Sequence, residues 1–139
     1  MTRLERLGAL VERPFLVTTP SNVVYLTGFH SSNCALLVQP GGETELYTDF
    51  RYADAARAVE GVSFRQTKRD VVGALAGLLS GQDIEIEAAN LTVAGHAVLA
   101  AGGVKATAGG GAVEKLRAVK EPDELAAIRA ACAISDRVY

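Results

Sequence analysis

The apolar positions of this chain change period several times, and the changes mark out alternating helices and strands. Leu4, Leu7, Leu10 and Val11 recur at helical spacing, and Pro14 then forces a break before the apolar run Phe15-Leu16-Val17, which predicts a strand. After the turn-rich Thr18 to Asn22, the segment Val23 to Leu26 predicts a short helix closed by Gly28. Cys34 to Val38 is continuously apolar, and Pro40-Gly41-Gly42 separates it from Glu43 to Thr48, where polar and apolar residues alternate; the pair predicts a hairpin. Ala53 to Val59 is an Ala-rich helix, Val62 to Gln66 a short strand, and Val71 to Leu79 a helix with Val71, Leu75, Leu78 and Leu79 inward. Asp83 to Ala88 alternates strictly, with Ile84, Ile86 and Ala88 on one face and Asp83, Glu85 and Glu87 on a solvated one. Thr92 to Ala101 reads as a helix ended by Gly102-Gly103, Val104 to Thr107 as a last strand, and Gly109-Gly110-Gly111 as a flexible joint. Helices interleaved in this way with about five strands imply an α/β fold: a three-layer domain whose mixed, mostly parallel sheet is flanked by helices.

A further helix opens at Glu121, Pro122 and Asp123. Pro is tolerated in the first turn, and acidic residues suit the positive end of the helix dipole. Leu125, Ile128, Cys132 and Tyr139 fall close to one face, with no partner evident in the chain and no Gly or Asn to stop the helix. The expectation is a domain over residues 1–112, followed over 113–139 by a linker and the start of a helix that leads into a further domain.

Composition narrows the partners. A chain of 139 residues, 49% of them hydrophobic, is long enough for one domain with a proper core. The net charge of -2, with Lys and Arg scattered, offers no footprint for nucleic acid or an anionic membrane, and no stretch is apolar enough to span a bilayer. Cys34 and Cys132 lie far apart and outside any CxxC pattern, which reads as reduced thiols. With no signal-peptide core at the N-terminus, the expected location is cytoplasmic, where the sequon at Asn90-Leu91-Thr92 has no meaning.

Candidate chemistry is sparse. His30 and His96 are far apart and neither has HExxH-like spacing; His96 reads as a residue on a helix surface. His30-Ser31-Ser32-Asn33, with Asp49 after a neighbouring strand, contains the residue types of a Ser/His/Asp hydrolase, but no GxSxG elbow exists and a polar turn is the simpler reading. Glu85 and Glu87 on one strand face are of a type to hold a cation, against the simpler reading of a charged outer face that blocks edge pairing. The glycine run at 109–111 lacks the spacing of a phosphate cradle. Asp49-Phe50-Arg51-Tyr52 is more informative, because a fixed cation and a phenol at a strand end suit recognition of a carboxylate or peptide group.

Three ordered elements carry a resemblance: Ser21-Asn22-Val23-Val24-Tyr25-Leu26-Thr27-Gly28-Phe29, then Thr48-Asp49-Phe50-Arg51-Tyr52, then the linker from Val113 through Arg117 and Lys120 to Leu125. Together they resemble the N-terminal domain of the creatinase/prolidase/Xaa-Pro aminopeptidase family. The resemblance implies a non-catalytic domain that serves dimerisation and the substrate entrance. It places catalysis in a C-terminal pita-bread domain holding two divalent ions, such as manganese, cobalt or zinc, through two Asp, one His and two Glu. No catalytic or metal-binding residue is then expected in this chain. The partners implied are a proline-containing peptide and a second copy of the protein, and the residues implicated at the entrance or interface are Asn22, Tyr25, Phe29, His30, Asp49, Arg51 and Tyr52. Ser31 and Asn33 depart from the family pattern, standing where glycines are common. A scaffolding module that has lost its metal ligands, or a creatinase-type hydrolase of small substrates, is the alternative.

Overall fold

The computed structural model describes residues 1–139. Helix α1 (Arg3–Leu10) opens with a capping box in which the Thr2 hydroxyl accepts from the Glu5 amide at 3.1 Å and the Thr2 amide donates to the Glu5 carboxylate at 2.6 Å. There follow β1 (Phe15–Val17), α2 (Pro20–Thr27), β2 (Cys34–Val38), β3 (Thr44–Thr48), a single 3-10 turn (Phe50–Tyr52), α3 (Ala53–Arg57) and β4 (Ser63–Gln66). The chain continues through α4 (Val71–Leu78), β5 (Asp83–Ile86), α5 (Val93–Ala101), β6 (Lys105–Ala108), α6 (Ala112–Ala118) and α7 (Pro122–Val138). Helix α2 ends where expected: Gly28 takes the left-handed conformation, φ 73°, and its amide closes on the Val24 carbonyl.

The six strands form one sheet in the order β4-β3-β2-β1-β5-β6. Only β2 is reversed, pairing antiparallel with both β1 and β3, while the β1·β5, β5·β6 and β3·β4 pairs are parallel. The sheet is therefore mixed and mostly parallel, and its six strands fall on the six segments that the pattern marks, one more than the count of about five. Side chains alternate across it. Phe15, Val17, Leu36, Val38 and Leu46 join Leu7 of α1, Val23 of α2 and Val113 of α6 in one core. Leu16, Ala35, Leu37, Tyr47 and Ile84 face the other way, against Leu75 of α4 and Leu99 of α5. These are the three predicted layers.

Three local expectations are corrected. Leu78 points outward, 57% exposed, because the stripe of α4 that meets the sheet is carried by Val71, Leu75 and Ala76. Gly109 is not a loose joint: its amide bonds the Ile86 carbonyl at 2.9 Å, and a Cβ there would lie 2.5 Å from the Phe15 ring, so the residue is glycine for close packing. Glu87 is not solvated. β5 ends at Ile86, the chain turns, and the Glu87 carboxylate is carried into the protein, 7% exposed.

Candidate functional site

With five strands running the same way, their C-terminal ends open on one edge of the sheet, next to the N-terminal end of reversed β2. The first two motifs and the start of the third meet along this edge, and open α/β sheets generally place ligands there. Two polar clusters organise it.

The first follows β3. Asp49 is fully buried, yet its carboxylate is completely engaged: Oδ1 accepts from the Arg51 amide at 3.0 Å and Arg51 Nε at 2.8 Å, and Oδ2 from Arg51 Nη2 at 2.8 Å and Asn33 Nδ2 at 2.6 Å. The bidentate Arg51 guanidinium, reinforced by Asn33, holds the Asp49 carboxyl well below the usual carboxylate range. Asn33 also donates to the Arg69 carbonyl at 2.8 Å, and Thr48 Oγ1 donates to the Asn33 carbonyl at 2.6 Å. Asn33 therefore ties the loop before β2 to the ends of β3 and β4. Arg51 itself is 41% exposed along its side chain and lies 5.3 Å from the Tyr52 ring. Tyr52 packs edge-on against Phe29, centroids 6.4 Å apart, and its hydroxyl shares a 2.6 Å hydrogen bond with Ser32 Oγ.

The second cluster centres on Asn22, which is fully buried in α2. Its Nδ2 donates to Glu87 Oε1 at 2.5 Å and Glu114 Oε1 at 2.8 Å, while its Oδ1 accepts from Arg117 Nη1 at 2.8 Å. Glu87 Oε2 accepts from the amides of Thr18 and Thr19 at 2.9 and 2.7 Å. A buried carboxylate is thus stabilised by backbone dipoles and an amide rather than by a cation. The sequence pointed to Asn22, and to Glu87 only as the neighbour of Glu85 on a solvated strand face; strict alternation concealed its burial.

The structure brings Asp49, Arg51 and Tyr52 together with Phe29 against the Tyr52 ring, and gives Asn22 and Tyr25 other polar partners: Glu87, Glu114 and Arg117 for the first, Arg3 for the second. His30 is exposed in the loop before β2 and has no hydrogen bond to Asp49, whose oxygens are occupied; no Ser/His/Asp triad forms. The same loop is a ridge between two depressions. Phe29 and His30 line an open one of about 1050 Å³ shared with Gly41, Gly42 and Glu60, whereas Ser31 to Cys34 line a cleft of about 340 Å³ with Thr18, Val71 and Asn90. The ridge and the Arg51–Tyr52 pair, not the larger hollow, hold the concentrated polar chemistry. Cys34 is half-buried, and burial pushes its thiol up to about 11, which makes it a poor nucleophile. His96 Nε2 lies 2.9 Å from the Ala106 carbonyl on the surface of α5. Glu85 faces Arg13 at 3.3 Å, and nowhere in the chain do three His, Cys, Asp or Glu side chains converge to hold a metal ion.

These features define a three-layer α/β domain whose polar machinery sits at the carboxyl edge of its sheet. A sequence model of the Creatinase/Prolidase N-terminal domain matches residues 3–119, and the chain belongs to that family. No curated protein matches significantly. Among solved structures, the N-terminal domain of cytoplasmic peptidase PepQ from Mycobacterium tuberculosis H37Rv is 30% identical, with a TM-score of 0.71 over 82% of this chain and 97% of that one. An Xaa-Pro aminopeptidase from Streptococcus pyogenes is 29% identical, TM-score 0.67, over 81% of this chain and 96% of that one. Prolidase from Pyrococcus furiosus shares the fold at a TM-score of 0.82 and 22% identity; the match takes in 97% of this chain but 44% of that protein.

Proposed function

We propose that this chain is the N-terminal, non-catalytic domain of a metal-dependent Xaa-Pro peptidase of the aminopeptidase P or prolidase type, acting on proline-containing peptides in the cytoplasm. The observation that carries the reading is that Asp49, Arg51 and Tyr52 are tied to the ridge at the carboxyl edge, Tyr52 through Phe29 and Ser32 and Asp49 through Asn33, in a domain where no metal-ligating cluster forms. The chain's residues do not fit a metal. The expected pair of divalent ions, such as manganese, cobalt or zinc, belongs to a further domain, where it would supply an activated water and polarise the scissile carbonyl.

In this reading the ridge borders the substrate entrance. Asp49 holds the Arg51 fork from one side, which leaves Nη1 of the exposed guanidinium to meet a peptide carbonyl or carboxylate or a group of a second subunit. Tyr52 presents a further polar group beside it, exposed His30 lies farther along the same loop, and the protein is expected to be a homodimer.

The test is made on the protein translated from the complete reading frame. It should cleave Xaa-Pro substrates, lose activity in a chelator and regain it with manganese, while the 139-residue chain alone does none of these. Robust hydrolysis by the isolated chain refutes the proposal. A reading frame whose further domain lacks the two Asp, one His and two Glu favours the scaffolding alternative, and preference for creatine over peptides favours the creatinase-type one. Light scattering checks the dimer.

A further inference from the structure

Helix α7 is the longest element, 17 residues, and buries none of them; Leu125 and Ile128 are 38% and 47% exposed. At 1.5 Å per residue it is a lever of about 25 Å, so a tilt of about 20° at its base would move its far end by about 9 Å. Whatever fixes its direction must act at its first turn.

Two sets of contacts meet there. Helix α6 is seated by Val113, fully buried, and by the Asn22 cluster, which grips it through Glu114 and Arg117. The elbow after α6 is then braced from both sides. Lys120 Nζ donates to the Arg117 carbonyl at 2.5 Å, capping the end of α6. Glu121, the N-cap residue of α7, accepts from Arg3 Nε and Nη2 at 3.1 and 2.6 Å and from Arg6 Nη2. Arg3 is itself held by the Tyr25 carbonyl at 2.8 Å and lies 4.2 Å from the Tyr25 ring. Asn22 and Tyr25, three residues apart on α2 and so on one side of it, therefore both serve the elbow rather than the ridge. No glycine follows Gly111, so nothing in the elbow sequence favours a hinge.

We propose that Asn22 and Glu121 are positioning residues that lock the α6–α7 elbow, so that α7 leaves the domain in one orientation relative to the carboxyl edge. Resting on the proposed function, the consequence is that a catalytic domain carried by α7 is presented to the ridge at a set angle; the lock itself follows from the contacts alone.

The experiment measures the direction of α7. With Cys34→Ala removing the inner thiol, spin labels on native Cys132 of α7 and on Ala97→Cys of α5, both exposed, report one distance. The parent is expected to give a single narrow distribution. Glu121→Ala and Arg117→Ala, changes at partly exposed side chains that leave the core untouched, should each lose that narrow peak with circular dichroism little changed; Asn22→Ala is a third variant, informative if it folds. A broad distribution in the parent, or distributions as narrow as the parent's in the folded variants, overturns the proposal. In the complete protein the same two substitutions should lower kcat/KM for an Xaa-Pro substrate. If the distances respond but the complete protein has no peptidase activity at all, the lock stands and the proposed function falls.

Discussion

Asp49 illustrates how one residue's chemistry depends on neighbours that the sequence does not place. Its folded pKa lies below the ordinary 3.8, so its ionised form contributes stability that is fully present above that value and is lost as pH falls through the lower folded pKa. The stability difference between the parent and Asp49→Asn is therefore expected to be constant from neutral pH down to about 5 and to shrink below about 4, as urea titrations at stepped pH would register. A difference that grows on acidification would contradict the assigned Arg51–Asp49 pair. The two thiols give a second check at this scale. Cys34, half-buried and pushed up to about 11, should react with a disulfide reagent near pH 8 measurably more slowly than exposed Cys132. The types and order of Asp49, Arg51 and Tyr52 were legible in the chain, since they are sequence neighbours. Asn33, Glu87 and Arg3 were not, because their partners are brought in by strands and helices 16 to 118 residues away.

At the scale of elements, helix and strand positions followed the hydrophobic period closely, while errors fell where packing overrides it. Helix α1 crosses the β2–β3 turn at Gly8, where an added Cβ would sit 2.1 Å from the Gly42 amide nitrogen. Gly8→Ala must push backbone against backbone, and should cost at least about 1–3 kcal/mol. Gly77 of α4 has open space around it, so Gly77→Ala removes an entropic penalty and should stabilise by about 0.5–1 kcal/mol. Opposite shifts of the denaturation midpoint in the two variants check both statements. Nothing in the local sequence separates these glycines; only the element packed against each one does.

At the scale of the whole molecule, the sheet joins two cores that alternate residue by residue. Leu36 belongs to the core under α1 and α2, and Leu37 to the core under α4 and α5. Because both cores share one backbone, Leu36→Ala should cost about 2–5 kcal/mol and weaken both sides together, with tyrosine fluorescence and circular dichroism giving coincident transitions. Separate transitions would mean that the layers unfold independently. The sequence by itself determined the α/β class, the order of elements and the family motifs, because period, turn residues and short spacings are local properties of the chain. Tertiary structure alone decided the rest: that β2 is the one reversed strand, that Asn22 and Tyr25 face the elbow while Phe29 and Tyr52 face the ridge, and that Glu87 is buried. Those outcomes depend on which distant groups satisfy one another's hydrogen bonds once the layers close, and no short window of sequence contains both members of such a pair.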